Sequence, residues 1–351
     1  MKTVYFNEIH QRLIEASSAS DIFGNLSKIS GDALKRCFRQ LAQQVHPDHH
    51  PNFKKEANDA FLKLQFWYSQ ALIELRTSQG GLKFESGQNV YVTTAVSAPG
   101  DIADIWQAET GSKKVILKIV RQPKNNDLML AESSWLKHLK NDLKGDPLLA
   151  HFPTLIESFK VKDASGAERA INVLENENEF VTLAEVIQAH PQGIHPADAA
   201  WMFNRLLAAL AKTHQLGWVH GAVIPPHLLL NLNDHNGKLI DWCYSQPIGE
   251  KVKAISPSYK PFYPMEVLEK RPSTPATDIY LAGMTLLKLL GGDVATKTVP
   301  TSVPKPIGAF LKACLIGSPH RRPQNSWALF DDFQEILQRL YGAPKFRPFS
   351  L

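Results

Sequence analysis

The stretch DALKRCFRQLAQQVHPD, residues 32–48, decides the fold of the first part of the chain. Its apolar side chains recur at the spacing of one helix face: Leu34, Phe38, Leu41, Ala42 and Val45. Ser30, just before the stretch, is a residue type that caps helix N-termini. The helix should end before Pro47, because the residue preceding a proline is disfavoured in the α conformation. The stretch therefore predicts an amphipathic helix that leads directly into a His46-Pro47-Asp48 loop.

Helical periodicity is present on both sides of this loop. Residues 5–16 carry apolar side chains at helical spacing, and a further helix is predicted from about Lys54. The second of these has one apolar stripe, made of Ala57, Phe61, Leu64 and Tyr68. Gly80-Gly81 breaks the pattern and predicts a short linker. We therefore expect an all-α domain over residues 1–80.

The pattern changes after residue 81. Runs typical of strands cover residues 89–95, 103–108, 115–120, 155–161 and 169–174, with a helix at about 127–139. Beyond about residue 179 the periodicity is mainly helical. Strands followed by helices predict an α+β, two-lobed domain over residues 81–345. We expect its strand-rich lobe over about 85–178 and its helical lobe over about 179–345.

Composition narrows the classes of protein. The net charge of +5 over 351 residues is small, so nucleic acid is not expected as a partner. Cys37, Cys243 and Cys314 are far apart and are expected to be free thiols in a reducing compartment. The first residues lack the apolar core of a signal peptide, and no apolar run has membrane-spanning length. A cytoplasmic protein without membrane contacts is the expectation.

The loop tripeptide His46-Pro47-Asp48 between two helices resembles the J-domain of DnaJ-type co-chaperones. The resemblance implies an all-α helical hairpin and, as partner, a DnaK-type chaperone whose ATPase the domain stimulates. It implies that Asp48 meets an arginine of the chaperone in a charge-assisted contact. Lys35, Arg36 and Arg39 would form the basic, chaperone-binding face of the preceding helix. The alternative is an ordinary helix end next to a solvated helix surface.

A second resemblance, to protein kinases, lies in the order of motifs after residue 90. The matching positions are Val115–Lys118 for V-A-I-K, Glu132, Asp241-Trp242-Cys243 for D-F-G, Glu266 for the glutamate of A-P-E, Asp278 and Arg322. A lysine inside an apolar strand is costly unless it is paired, so Lys118 should pair with Glu132. The resemblance implies a nucleotide site for ATP and Mg²⁺ made of Gly100, Lys118, Glu132 and Asp241, with Asp241 as the Mg²⁺ ligand.

The departures from the kinase pattern concern the catalytic residues. Where kinases carry H-R-D-x-x-x-x-N, this chain reads HGAVIPPH from His220 to His227. Ala222 replaces the catalytic aspartate and cannot accept a proton, an assistance worth about 10²–10⁴-fold in rate. His227 replaces the metal-binding asparagine, and only Gly100 remains of the glycine-rich loop. We therefore expect a pseudokinase rather than an enzyme that transfers phosphate.

Three functional hypotheses follow. The first is a J-domain co-chaperone that recruits a DnaK-type chaperone, with the kinase-like domain binding a client or partner protein. The glycine/phenylalanine-rich segment and zinc-binding cysteines of general-purpose J-proteins are absent, which favours a specialised client. The alternative is a divergent ATP-dependent kinase or nucleotidyl transferase that uses Asp241, with His227 as an unusual base. The third is a scaffold that contacts no chaperone.

Two further segments carry weaker signals. His46, His49 and His50 lie close in sequence, but three ligands without a defined fourth are poor grounds for a metal site. The tail, Phe346 to Leu351, is basic and aromatic, and we expect a frayed terminus, with docking on the body or on a partner as the alternative. Trp201 is expected to be a core residue.

Overall fold

The computed structural model describes residues 2–77, 81–163, 166–177 and 179–351. Two compact units make up the chain. The first comprises residues 1–123 and 159–176, and the second comprises residues 124–158 and 177–351. Each is described separately below.

The first unit begins with helices, as predicted. They are α1 (Lys2–Glu15), α2 (Ala19–Phe23), α3 (Gly31–Val45) and α4 (Lys54–Thr77). Leu34 and Val45 of α3 and Ala57 and Leu64 of α4 are fully buried in one shared core. Trp67 joins this core and donates its indole N–H to the carbonyl oxygen of Leu13, 3.1 Å away. The two predicted apolar faces are therefore confirmed.

Helix α3 starts and stops where its sequence predicts. The Ser30 hydroxyl accepts the N–H of Ala33 at 3.2 Å, which satisfies one of the free donors of the first turn. The helix ends at Val45, before His46-Pro47. Phe38 stacks on Tyr68 at 4.1 Å, and His46 packs against Phe61 at 5.4 Å. Because the partner number falls along α4 as the residue number rises along α3, the two helices are antiparallel.

The sheet of the first unit follows α4. Its strands are β1 (Lys83–Glu85), β2 (Val90–Pro99), β3 (Ala103–Thr110), β4 (Lys113–Val120), β5 (Leu155–Lys162) and β6 (Glu168–Glu175). They lie in the order β1-β2-β3-β4-β6-β5. Antiparallel pairing joins β1 to β2, β2 to β3, β3 to β4 and β4 to β6. Tyr91, Leu117 and Val173 are buried in a core separate from that of the helices.

Gly81 is where the chain enters this sheet. Its backbone has φ +76, and a Cβ atom there would lie 2.2 Å from the carbonyl oxygen of Thr93. The next residue is already paired, since the Leu82 N–H donates to the Thr93 hydroxyl at 2.7 Å and the Leu82 carbonyl accepts the Thr93 N–H at 2.9 Å. Both the left-handed backbone and the close approach require glycine. Of the predicted linker Gly80-Gly81, Gly80 lies outside the described residues.

The second unit is mainly helical, with short strands. Its helices are α5 (Asn126–Asp142), α6 (Leu183–Ala189), α7 (Pro196–Gln215), α8 (Met265–Leu268), α9 (Pro275–Leu289), α10 (Lys305–Cys314) and α11 (Ser326–Tyr341). Its strands are β7 (Phe180–Thr182), β8 (Trp218–Val219), β9 (Leu228–Asn231), β10 (Gly237–Leu239) and β11 (Gln246–Pro247). Strand β9 pairs with both β7 and β10, and β8 pairs with β11.

A buried ion pair organises the second unit. The Arg322 guanidinium donates two hydrogen bonds to the Glu266 carboxylate, at 2.5 and 3.1 Å. Their side chains are 0% and 2% exposed. Arg322 also donates to the carbonyl oxygens of Ala276, Ile316 and Gly317, so each nitrogen of the guanidinium donates at least one hydrogen bond. The pair joins two positions that match the kinase pattern, the glutamate of A-P-E and the late arginine.

Candidate functional site

The loop between α3 and α4 presents Asp48 to solvent. The Asp48 side chain is 81% exposed, whereas that of His46 is 43% exposed and packs against Phe61. The His46 ring nitrogen Nδ1 accepts the backbone N–H of Asp48 at 3.3 Å. The imidazole of His46 therefore binds the backbone of the turn, whereas the carboxylate of Asp48 is exposed to solvent. The sequence predicts a loop for the tripeptide, but it does not reveal that His46 contacts the backbone while Asp48 is exposed.

Three cations lie on the exposed side of α3. Lys35, Arg36 and Arg39 are all exposed. Positions 35 and 39 are four residues apart and positions 36 and 39 are three apart, so the three side chains share one helix face. Leu34 and Val45 face the core instead. The basic face predicted for α3 is present, and its binding to a chaperone stays a prediction.

His49 and His50 cap the end of α3. His49 Nδ1 lies 2.8 Å from the carbonyl oxygen of Gln43, and His50 Nε2 lies 2.7 Å from that of Gln44. Each ring nitrogen must carry its hydrogen to make these contacts, and each satisfies a carbonyl that has no partner inside the helix. In the described part of the chain no group of three or more His, Cys, Asp or Glu side chains could hold a metal ion.

The predicted nucleotide residues are distributed over both units. Lys118 lies on β4 opposite Asn172 of β6 and is 3% exposed. Glu132 lies on α5, is 1% exposed, and accepts the backbone N–H of Trp242 at 2.9 Å through Oε1. The contact places the α5 glutamate against the D-F-G-like segment inside the second unit. The pairing of Lys118 with Glu132 stays a prediction.

Gly100 is explained by the tight turn between β2 and β3. A Cβ atom at this position would lie 2.2 Å from the carbonyl oxygen of Ala103. The Gly100 carbonyl oxygen also accepts a hydrogen bond from the Arg121 guanidinium at 2.9 Å. The glycine is thus required by the turn itself, and a role in nucleotide binding stays a prediction.

Asp241 is held in a conformation that is unfavourable for most residues. Its φ of 68 and ψ of 56 lie in the left-handed region, which non-glycine residues rarely adopt. The carboxylate is engaged on both oxygens. Cys243 Sγ–H donates to Oδ1 at 2.8 Å, and His227 Nε2 lies 3.0 Å from Oδ2. Strained backbone of this kind persists at sites where the surroundings fix it.

His227 is bound through both ring nitrogens. Nδ1 lies 2.7 Å from the carbonyl oxygen of Ala222, which can only accept, so Nδ1 carries a hydrogen. A second hydrogen lies between Nε2 and the Asp241 carboxylate. This hydrogen joins the two side chains, and the His227 side chain is only 9% exposed. The residue that replaces the asparagine thus sets a largely buried imidazole directly against the Asp241 carboxyl group.

This donor set does not fit magnesium. Mg²⁺ requires near-octahedral ligation by oxygen atoms. In the kinase pattern, the metal ligands would be a carboxylate at the position of Asp241 and an asparagine oxygen at the position of His227. Here position 227 directs an N–H at the same carboxylate, and Cys243 occupies its other oxygen. A metal ion at Asp241 would have to compete with these two contacts for the carboxylate oxygens and would find a ring nitrogen, not an amide oxygen, at position 227.

The backbone of the loop at residues 220–227 is anchored by Asp278. The Asp278 carboxylate accepts the N–H groups of His220 and Gly221 at 2.7 and 2.8 Å, and His214 Nε2 lies 2.9 Å away. His220 Nε2 donates to the carbonyl of Ile240 at 2.9 Å. Burial lowers the pKa of His220 to about 4, because the charged ring would lose its hydration. The loop has this backbone anchor and carries Ala222 where the kinase pattern has an aspartate.

Sequence reasoning missed part of this arrangement. His214 links Asp278 to the Ser326 hydroxyl, which lies 2.6 Å from its Nδ1. All three side chains are buried, so they stabilise the unit rather than meet a substrate. The expectation of a frayed tail is wrong for Phe346 and Arg347, which contact the second unit through His235 and Asp198. An arginine between two aromatic residues was the available signal.

Comparisons with known proteins bear on the fold alone. No protein-family profile and no curated protein matches the chain. Among solved structures, that of vaccinia related kinase 3 is similar, with a TM-score of 0.59 and 16% identity. The match covers 77% of this chain and 93% of that one. The chain therefore contains a two-lobed protein-kinase-like fold with a sheet-rich and a helical part.

None of the helices in the described part of the chain combines the length and apolar character needed to cross a bilayer.

Proposed function

We propose that this chain is a J-domain-type co-chaperone whose kinase-like fold binds a partner protein instead of transferring phosphate. The observation that carries the proposal is the exposed Asp48 carboxylate, held outward by His46 between two antiparallel helices. Lys35, Arg36 and Arg39 on α3 supply a basic face beside it. The partner would be a DnaK-type chaperone that offers an arginine to Asp48 and acidic groups to the basic face.

The kinase-like fold supports a binding role because its chemistry is blocked. Ala222 is buried and offers no group that accepts a proton, and Asp241 is bound to His227 and Cys243. The scaffold around them is intact, since Asp278 still fixes the loop and Glu266 still pairs with Arg322. A domain with this combination keeps its shape and loses its transfer reaction. We propose that it selects the client or partner to which the chaperone is directed.

ATPase stimulation tests the co-chaperone function. Purified full-length chain should accelerate ATP hydrolysis by a DnaK-type chaperone in single-turnover assays. Asp48→Asn keeps the shape of the side chain and removes its charge, so stimulation should be lost. Asp59→Asn is a matched control, since Asp59 is an exposed aspartate on α4, outside the loop tripeptide. Equal stimulation by the wild type and Asp48→Asn, or no stimulation by either, would remove the proposal.

The second candidate is a divergent ATP-dependent kinase or nucleotidyl transferase. The observation that favours it is that Lys118 and Asp241, two residues of the kinase pattern, are both present in a kinase-like fold. In that case ATP with Mg²⁺ would bind, and a saturating ligand at 100 times its Kd would stabilise the fold by about 2.7 kcal/mol. Transfer of γ-phosphate or AMP that disappears in Asp241→Ala would establish it. Absence of any thermal shift with ATP and Mg²⁺ would exclude it.

A further inference from the structure

The chain's last residues occupy a formed binding site on the second unit. Arg347 donates to both carboxylate oxygens of Asp198, from Nε at 2.7 Å and from Nη2 at 3.3 Å. Asp198 lies in the first turn of α7 and its side chain is 11% exposed. A bidentate contact to a largely buried carboxylate is both strong and selective for arginine.

His235 forms the aromatic part of the same site. Its ring lies flat on Trp201, with centroids 3.9 Å apart and an interplanar angle of 3°, and Phe346 stacks on its other side at 4.3 Å. His235 Nε2 donates to the carbonyl oxygen of Arg347 at 2.9 Å. His235 lies in the turn between β9 and β10 with φ +59, an unfavourable backbone conformation that persists only where the surrounding contacts fix it. Phe349 packs on His190, 5.4 Å away.

The tail fits this site incompletely. Phe346 is 58% exposed, and the Arg347 side chain is 46% exposed. The tail is held by the Asp198 ion pair, one hydrogen bond from His235 and two ring contacts, while two of its main contacting side chains stay half exposed. The tail is therefore an internal ligand on an accessible surface, which an external segment of the same chemistry could replace.

We propose that Asp198, Trp201, His235 and His190 form a peptide-binding site for an extended aromatic–arginine–proline–aromatic segment of a partner protein. In the unbound chain, residues 346–349 fill this site and compete with the partner. The sequence of the tail states the chemistry that the site selects: an aromatic ring for His235, an arginine for Asp198 and a second ring for His190. The inference deepens the partner-binding role proposed above by locating it, and its site is built wholly within the second unit.

Fluorescence anisotropy tests this site without any chaperone. The probe is a fluorescein-labelled peptide with the sequence of residues 344–351. A full-length Arg347→Ala chain, whose own tail is weakened, should bind the peptide at least about tenfold more tightly than wild type, because a tethered tail acts at roughly millimolar effective concentration. Asp48→Asn should leave this binding unchanged, so failure of the chaperone function and failure of this site are distinguishable.

Matched substitutions show whether the arginine contact carries the binding. Adding Asp198→Asn to the Arg347→Ala chain should weaken peptide binding by about 30-fold or more, since it removes the charge of a largely buried carboxylate that binds the peptide arginine at two points. A peptide with Arg347 changed to alanine should lose binding to the same extent. If Asp198→Asn unfolds the chain by thermal melting, Asp198→Lys with a peptide carrying Arg347→Glu replaces it, and restored binding is expected.

Three results would overturn the proposal. One is absence of peptide binding to the Arg347→Ala chain. Another is equal binding by chains with and without Asp198→Asn when both are folded. The third is a concentration-dependent dimer of the wild type that Arg347→Ala dissolves, because the site would then serve exchange of tails between copies of this chain. Tight binding that needs both Asp198 and the peptide arginine supports it.

Discussion

His227 Nε2 lies 3.0 Å from Asp241 Oδ2, so the side chain at the position of the kinase asparagine contacts the side chain at the position of the D-F-G aspartate. The two positions are separated by 14 residues of chain, and the Ala222 carbonyl holds the ring from the other side at 2.7 Å. Two departures from the kinase pattern are therefore linked in space. Ala222 stands at the position of the catalytic aspartate, and its carbonyl oxygen holds the ring of His227, which contacts Asp241.

His227→Asn should open Asp241 to a divalent cation. The substitution removes the imidazole that contacts the carboxylate and supplies an amide oxygen, which is a ligand type that Mg²⁺ accepts. We expect wild type to show no Mg²⁺-dependent thermal shift with ATP, and His227→Asn to show one that approaches about 2.7 kcal/mol at saturating ligand. Differential scanning fluorimetry measures both. A His227→Asn/Asp241→Asn chain should lose the shift, and equal shifts in wild type and His227→Asn would contradict the blocking role.

Acid should destabilise the fold through His220. Burial lowers its folded pKa to about 4 from the usual 6.5, so between these values the unfolded chain binds more protons than the folded one. The free energy of unfolding should therefore fall as pH drops from about 6.5 to 4, by up to about 3 kcal/mol from this group. Urea titrations across this range measure the slope. His220→Asn should flatten it, whereas exposed His320→Asn should not; an unchanged slope in His220→Asn would refute the assignment.

Breaking the Glu266–Arg322 pair should be costly. Removing either partner leaves the other charge buried without compensation, which typically costs about 3–5 kcal/mol. Glu266→Gln and Arg322→Met should each lower the urea midpoint strongly, and the double variant should lose less than the two separate losses added together. The Arg339–Glu335 pair is the control, because both side chains are well exposed and its loss should cost under about 1 kcal/mol. Similar losses at the two pairs would contradict the assignment.

His46→Gln should separate the shape of the loop from its charge. Glutamine cannot reproduce the ring that packs on Phe61 and accepts the Asp48 N–H, so Asp48 should lose its fixed direction. We expect loss of chaperone stimulation and of chaperone co-purification, while circular dichroism shows unchanged helix content. Ser30→Ala, at the far end of α3, should cost about 1 kcal/mol of stability and keep stimulation. Full activity of His46→Gln would mean that the imidazole has no positioning role.

Local patterns in the sequence predicted the elements well, and contacts between distant residues escaped it. The Ser30 cap, the end of α3 at Val45 and the apolar face of α4 depend on neighbours a few residues apart, so periodicity and capping rules reveal them. The kinase-like motifs were visible through their order. The His227–Asp241 contact depends on a loop geometry that spacing does not encode. The Arg347–Asp198 contact joins residues 149 apart, and a short polar tail gives no periodic signal.

Gly81 bears on how the N-terminal helices could be transplanted. The backbone of Gly81 has φ +76 and leaves no room for a Cβ beside Thr93. Position 81 is therefore packed against the sheet and tolerates no side chain. A chimera that carries these helices to another protein should therefore be cut before Gly81, whereas a cut after it would remove the residue that lets β2 accept the incoming chain. The position at which such a chimera should be joined is thus fixed by the space around one glycine, Gly81.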